Sequence, residues 1–264
     1  MTLRQPNIER MLQLKLSGMV EALEEQRDIA DIDQLGFDDR LAMMLEREVA
    51  HRDQKSYLNN LRQAQLRIRA DIQDVDCSAG RGVARGTLTQ LAAGDWIRQA
   101  VNLIVEGPTG SGKTFLSCAL AHQACRQKQS VLYRRVPELI SALNHTRDDD
   151  EKHTRVMRRL ATVSLLVLDD WGLQGFCAEG RRDLLEIVEH RYGRKSILIA
   201  SQIPMEHWPA VVGEPTIADA ILDRIVHNAL MSAVKVWHVE YPADPERGGD
   251  RLFMILIAHG WRRN

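Results

Sequence analysis

The run Gly107-Pro108-Thr109-Gly110-Ser111-Gly112-Lys113-Thr114 has the residue types and spacing, G-x-x-x-x-G-K-[ST], of a loop that wraps a polyphosphate. Its glycines let successive backbone N–H groups turn toward one anion, and the helix that it opens adds partial positive charge there. Lys113 spans the β- and γ-phosphates of ATP as a cation, and the Thr114 hydroxyl offers a ligand to Mg2+. The loop follows the apolar run 101–105 and precedes an apolar-periodic segment, which are the strand and helix such a P-loop needs. Further along, Leu165-Leu166-Val167-Leu168 ends in Asp169-Asp170. A buried strand emerging at the phosphates would put Asp169 in the Mg2+ shell and let Asp170 polarise the attacking water. Alone, an Asp-Asp pair after a strand reads equally well as a helix cap; beside the loop motif it reads as the metal and water side of a nucleotide site.

Two more positions belong to the same chemistry. Ser201-Gln202 ends a later strand, where Gln202 would sense the γ-phosphate or the lytic water; without the P-loop it would be a plain turn before Pro204. Arg224 lies in Asp219-Ala220-Ile221-Leu222-Asp223-Arg224-Ile225, an apolar-patterned helix from which an arginine reaches a neighbouring subunit's γ-phosphate. An ion pair of Arg224 with Asp219 or Asp223 is the bland alternative. Cys77, Cys118, Cys125 and Cys177 form no C-x-x-C pair, and the chain has no H-E-x-x-H or G-x-S-x-G pattern. The cysteines therefore read as reduced and structural, and no zinc or covalent site competes with the nucleotide site.

The elements that must hold these residues can be read from periodicity. Strand-length apolar runs at 101–105, 130–133, 164–168 and 196–200 alternate with helical patterns, which predicts a three-layer α/β domain with a parallel sheet over 100–230. Upstream, Ile8, Met11, Leu12, Leu16, Met19, Val20 and Leu23 recur at three- and four-residue steps, predicting one amphipathic helix over 7–26; 39–70 repeats the pattern. Residues 1–70 thus read as a small all-helical N-terminal domain. Glycines within 78–86 mark 71–99 as a linker, and 231–264 stands apart as an atypical C-terminal segment.

Composition bounds the rest. A chain of 264 residues, 44% hydrophobic and 27% charged, suffices for one α/β domain and a smaller companion and is not that of a disordered polymer. The formal net charge of −1 makes no global case for nucleic acid, so any DNA contact rests on local clusters. Candidates are Arg52, Lys55, Arg62, Arg67 and Arg69 in the second helical stretch, and Arg134, Arg135, Lys152 and Arg155 between the two nucleotide motifs. A solvated surface explains both clusters equally well. No run nears the ~18 apolar residues of a membrane span and the N-terminus lacks a signal-peptide core, so a cytoplasmic protein is expected.

The order of these motifs resembles the IstB-type insertion-sequence helper ATPases, in the DnaC-like branch of the AAA+ class. The resemblance covers roughly 7–230. It is carried by Leu16-Ser17-Gly18-Met19 with Glu21-Ala22-Leu23, by the P-loop followed by Ala119-Leu120-Ala121-His122-Gln123-Ala124, and by Leu168-Asp169-Asp170-Trp171-Gly172. Arg191-Tyr192-Gly193-Arg194, Ser201-Gln202 and 218–228 also fit. It implies an ATP-dependent homo-oligomer that binds duplex DNA and activates a partner transposase, with the N-terminal helical domain engaging DNA or neighbouring protomers, Arg224 as the finger in trans and Gln202 near the sensor position. After Asn228 the order departs from the family's ending, whose Met-Arg-Lys-like segment carries a nucleotide-contacting arginine. Three alternatives stay open: a DnaC-type replicative helicase loader, an ATP-binding assembly factor with little hydrolysis, and a P-loop kinase acting on a small acceptor.

Overall fold

The computed structural model describes residues 4–77, 83–226, 229, 234–239 and 252–257. The chain divides into two compact units, Met1–Asn59 and Asn60–Asn264.

The first unit is helical: α1 Arg4–Gln13, α2 Ser17–Glu25 and most of α3 Phe37–Ala64, with a single 3-10 turn at Ile32–Gln34 between α2 and α3. The single helix predicted over 7–26 is two, because the backbone turns at Lys15 with φ 60°. The apolar spacing survives this break: Met11, Leu16 and Leu23 still pack with Met19, Ala22, Leu41 and Met44. What fixes the break is Glu48 of α3. Its buried carboxylate accepts the Gly18 N–H at 2.8 Å and the Met19 N–H at 3.2 Å, capping the start of α2. A side chain at Gly18 would meet the Glu48 Cα at 2.7 Å, so glycine there permits the helices to approach. α3 ends at Ala64, with Gln65 at φ 52°, rather than running to 70.

The second unit has a sheet in the order β2-β3-β4-β1-β5-β6. Its strands are β1 Leu103–Glu106, β2 Val131–Arg135, β3 Leu165–Trp171, β4 Ser196–Ser201, β5 Val234–Val239 and β6 Leu252–Ile257. The expected parallel sheet is present: β1 pairs parallel with β4 and β5, and β3 parallel with β2 and β4. β6 adds an antiparallel edge, so two strands fall inside the segment set apart as atypical. The rest of 231–264 lies outside the described residues.

Alternate residues of a strand face opposite sides. Leu132, Leu166, Leu168, Ile197 and Ile199 join one core with α7 Val136–Thr146, α8 Asp150–Thr162, α9 Ala178–Arg191, α10 Trp208–Val212 and α11 Pro215–Val226. On the helix side opened by the P-loop, α6 Lys113–Arg126 lies against β1, β2, β3 and β4. These are the three layers that the alternating runs predict.

Within 71–99, the expected linker, α4 Arg85–Ala93 and α5 Asp95–Arg98 bury Leu88, Leu91, Trp96 and Ile97. Gln127 donates to the Ala92 carbonyl at 2.8 Å, so this stretch is packed as part of the second unit. Of the glycines that signal a loop, Gly86 lies within α4; Gly94, at φ 76°, separates the two short helices. The glycine-rich 78–82 lies outside the described residues. Residues 65–74 likewise run along α6: the His122 ring lies 3.0 Å from the Ala70 carbonyl and Arg126 pairs with Asp71 at 2.7 Å. That track brings Arg67 and Ile68 to the P-loop.

Candidate nucleotide site

The P-loop joins β1 to α6, with Gly110 and Gly112 at φ 78° and 86°, where any side chain would strain the backbone. Together with Asp169, Asp170, Gln202, Arg67 and Ile68 it lines a cavity of about 490 Å3, within the range of small-ligand sites. Gly107 and Pro108 form its approach: the Lys113 ammonium donates to their carbonyls at 2.8 Å each. Burial pulls Lys113 below the ordinary lysine value, against Asp169 and Asp170, which act to raise it. The ammonium lies inside the loop, in the field of two carboxylates.

β3 and β2 supply the groups beside the Thr114 hydroxyl. Asp169 is 1% exposed, and its Oδ2 accepts the Thr114 hydroxyl at 2.7 Å and the Tyr133 hydroxyl at 2.6 Å. Its Oδ1 accepts the Asp170 N–H at 2.9 Å. One hydroxyl and one carboxylate, both hard oxygen donors at the start of the P-loop helix, fit Mg2+, which binds through one or two protein oxygens plus substrate phosphates. Burial, then the bond to Asp169, pushes the Tyr133 phenol above its ordinary value, so it stays a proton donor.

Asp170 follows in a left-handed conformation, φ 56°. Its Oδ2 is 2.5 Å from Arg135 Nε and 3.8 Å from Arg67 Nη1. Arg135 also donates to Glu138 at 2.7 Å; the hydrogen bonds to Asp170 and Glu138 hold its guanidinium above the ordinary arginine value. Gln202 stands at the tip of β4 and accepts the Thr109 hydroxyl, so the sensor candidate touches the P-loop directly. The structure places Lys113, Thr114, Asp169, Asp170 and Gln202 around one cavity.

Arg224 does not line this cavity. On α11 it donates to Glu189 of α9 at 2.9 Å and to the Ala220 carbonyl at 2.8 Å, so the pair it forms is interhelical rather than with Asp219. Asn102 anchors the end of that helix, donating to the Ile225 carbonyl at 3.0 Å while accepting the Ile197 N–H at 2.9 Å.

The basic candidates separate by environment. Arg67 and Arg135 sit at Asp170. Arg134 donates to the Tyr133 carbonyl at 2.6 Å, and burial, then Arg159, lowers its value. Arg52 is bound to Glu48 at 2.6 Å, Lys152 to Asp149 at 2.7 Å and Arg155 to Glu151 at 3.3 Å. Lys55, Arg62 and Arg69 are exposed and make no ion pair among the described residues. The cysteines are free among the described residues, and burial pushes the Cys125 thiol up to about 12, consistent with an inert role. Sequence reasoning missed Tyr133 and the placement of Arg67 and Arg135. The available signal was a tyrosine in an otherwise apolar buried strand, whose hydroxyl must find a partner.

A family profile of IstB-like ATP binding proteins matches residues 9–237. Two candidate insertion sequence ATP-binding proteins of Sinorhizobium fredii are similar. One is 44% identical over 86% of this chain and 92% of its own length, the other 42% over 92% and 98%. The candidate ATP-binding protein of insertion sequence IS1162 from Pseudomonas fluorescens is 43% identical over 76% of this chain and 87% of its own. Among solved structures, DnaI aligns with a TM-score of 0.53 at 24% identity, covering 61% of this chain and 88% of that one. DnaA bound to AMPPCP and single-stranded DNA aligns at 0.50 and 17% identity, over 61% and 50%. These two likenesses are of fold, that of an AAA+ P-loop NTPase. With the P-loop, the paired carboxylates and the strand-tip glutamine in one cavity, and a match over most of its length, the chain belongs to the IstB-like ATP-binding protein family.

Proposed function

We propose that this chain is a Mg2+-dependent ATPase that assembles as a homo-oligomer on duplex DNA and assists a partner transposase, without cutting DNA itself. The observation that carries the ATPase reading is the Thr114–Asp169 contact under the P-loop with Asp170 next in line. Thr114 and Asp169 would hold Mg2+, which when bound neutralises charge on the β- and γ-phosphates. Lys113 and the loop N–H groups orient the phosphates; Gln202 reads the γ end; Asp170 takes the proton of the attacking water. Arg224, outside its own cavity, serves a neighbouring subunit's site after leaving Glu189. Of the basic candidates, Lys55, Arg62 and Arg69 are exposed and in no ion pair among the described residues, and they would meet DNA phosphates. The transposase role rests on the insertion-sequence names of the relatives, and a cytoplasmic location follows from a DNA substrate. No helix among the described residues is long and apolar enough to cross a membrane.

A second reading, an assembly factor that binds ATP but scarcely hydrolyses it, is favoured by Asp170 being occupied by Arg135 and Arg67. Both are tested by measuring ATP hydrolysis with and without duplex DNA, with a sizing run in each condition. Stimulated turnover together with a DNA- and ATP-dependent rise in size supports the helper. Size growth without turnover selects the second reading, and DNA-independent turnover by a monomer sinks both.

A further inference from the structure

Tyr133 is 5% exposed and lies on β2, where the register sets it opposite Val167 and Arg135 opposite Asp169. Residues two apart in a strand share a face, so the phenol reaches along that face to its diagonal neighbour, Asp169. A carboxylate's final torsion is broad and two-fold, and Thr114 alone grips Asp169 Oδ2 from the P-loop side. The second grip on that oxygen comes from Tyr133. Its consequence passes to Thr114. A hydroxyl has one proton and two acceptor lone pairs. While Asp169 Oδ2 stays in place, the Thr114 proton is committed to it, and a lone pair is left for a cation on the cavity side. If the carboxylate turns away, the proton is released and can point where the cation must bind.

We propose that Tyr133 is a positioning residue for the cation side of the nucleotide site: its hydroxyl fixes the Asp169 carboxylate and thereby the orientation of the Thr114 hydroxyl. This rests on the Mg2+–ATP reading above. Tyr133→Phe removes the hydroxyl and keeps the ring that fills the strand position. The full-length chain is titrated with Mg2+ at fixed fluorescent ATP analogue, and the analogue is also titrated in EDTA. The expected result is a Mg2+ midpoint raised about tenfold, the scale seen when a partner of a metal ligand is lost, with affinity in EDTA unchanged. In an Asp169→Asn background the same change should add nothing, because its effect passes through Asp169; damage to packing would add in both backgrounds. An unchanged midpoint, an equal loss in EDTA, or full additivity with Asp169→Asn overturns the proposal. Failure of the unaltered protein to bind the analogue under any condition overturns instead the nucleotide reading on which it stands.

Discussion

Asp169 and Asp170 are chain neighbours, yet Asp169 is 1% exposed and gripped by the uncharged hydroxyls of Thr114 and Tyr133, whereas the Asp170 side chain is 23% exposed and faces two guanidiniums. Water does not readily replace a partner of a buried oxygen, so the first arrangement is the harder of the two to exchange. Partly exposed ion pairs are worth only about 0–1 kcal/mol and are screened by salt, so the second can be traded for another anion. In the proposed ATPase the cation side would thus be preorganised and the water side releasable. If Asp170 acts as the proposed base, its contact with Arg135 at Oδ2 restrains it, and opening that contact frees the oxygen.

The largest test of this contrast is Asp170→Asn set against Asp169→Asn. Removing the water-activating carboxylate should lower turnover about 100-fold or more while ATP binding and DNA-dependent size growth persist. Asp169→Asn should instead weaken the Mg2+ dependence of nucleotide binding. Identical profiles for the two variants would mean that the carboxylates do not divide the work. A smaller effect is expected of Arg135→Ala. Freed of its nearer cation, Asp170 should support several-fold more turnover without DNA, with less stimulation by DNA. A fall in DNA-free turnover would instead make Arg135 a support for the base and not a restraint on it.

Much of the site is legible because its residues act through local spacing. The P-loop is one contiguous run, and Asp169-Asp170 closes an uninterrupted apolar strand, so both are visible without knowing any partner. Arg67 and Arg135 are visible only as charge. A cation facing solvent and one facing a carboxylate have the same letter, and the register that sets Arg135 opposite Asp169 is a property of strand pairing. The expected linker differs for a related reason: Gly86, one of the glycines that signals it, lies inside α4, where Leu88 and Leu91 are buried. In the N-terminal helices the three- and four-residue rhythm continues through Lys15, hiding a turn that only the Glu48 cap reveals.

Glu48 provides a carboxylate outside the nucleotide site that combines both kinds of grip, two backbone N–H donors and one guanidinium, with no chemistry to perform. Burial acts to raise its value, but the Arg52 side chain and then the Met19 and Gly18 N–H groups prevail and hold it below the ordinary glutamate range. A carboxyl lowered on folding adds stability at pH above its unfolded value, and that share is lost as pH falls through the folded one. Acid should therefore weaken the first helical unit, and Glu48→Gln, which cannot ionise, should flatten that acid dependence. Glu48→Ala also deletes the cap of α2 and should cost about 1–2 kcal/mol at neutral pH. Thermal melts of the full chain followed by helical circular dichroism from neutral to acidic pH read both effects. If the Gln variant loses stability in acid as steeply as the parent, the cap is held by shape and hydrogen bonding alone, and the charge on Glu48 contributes nothing to the join between α2 and α3.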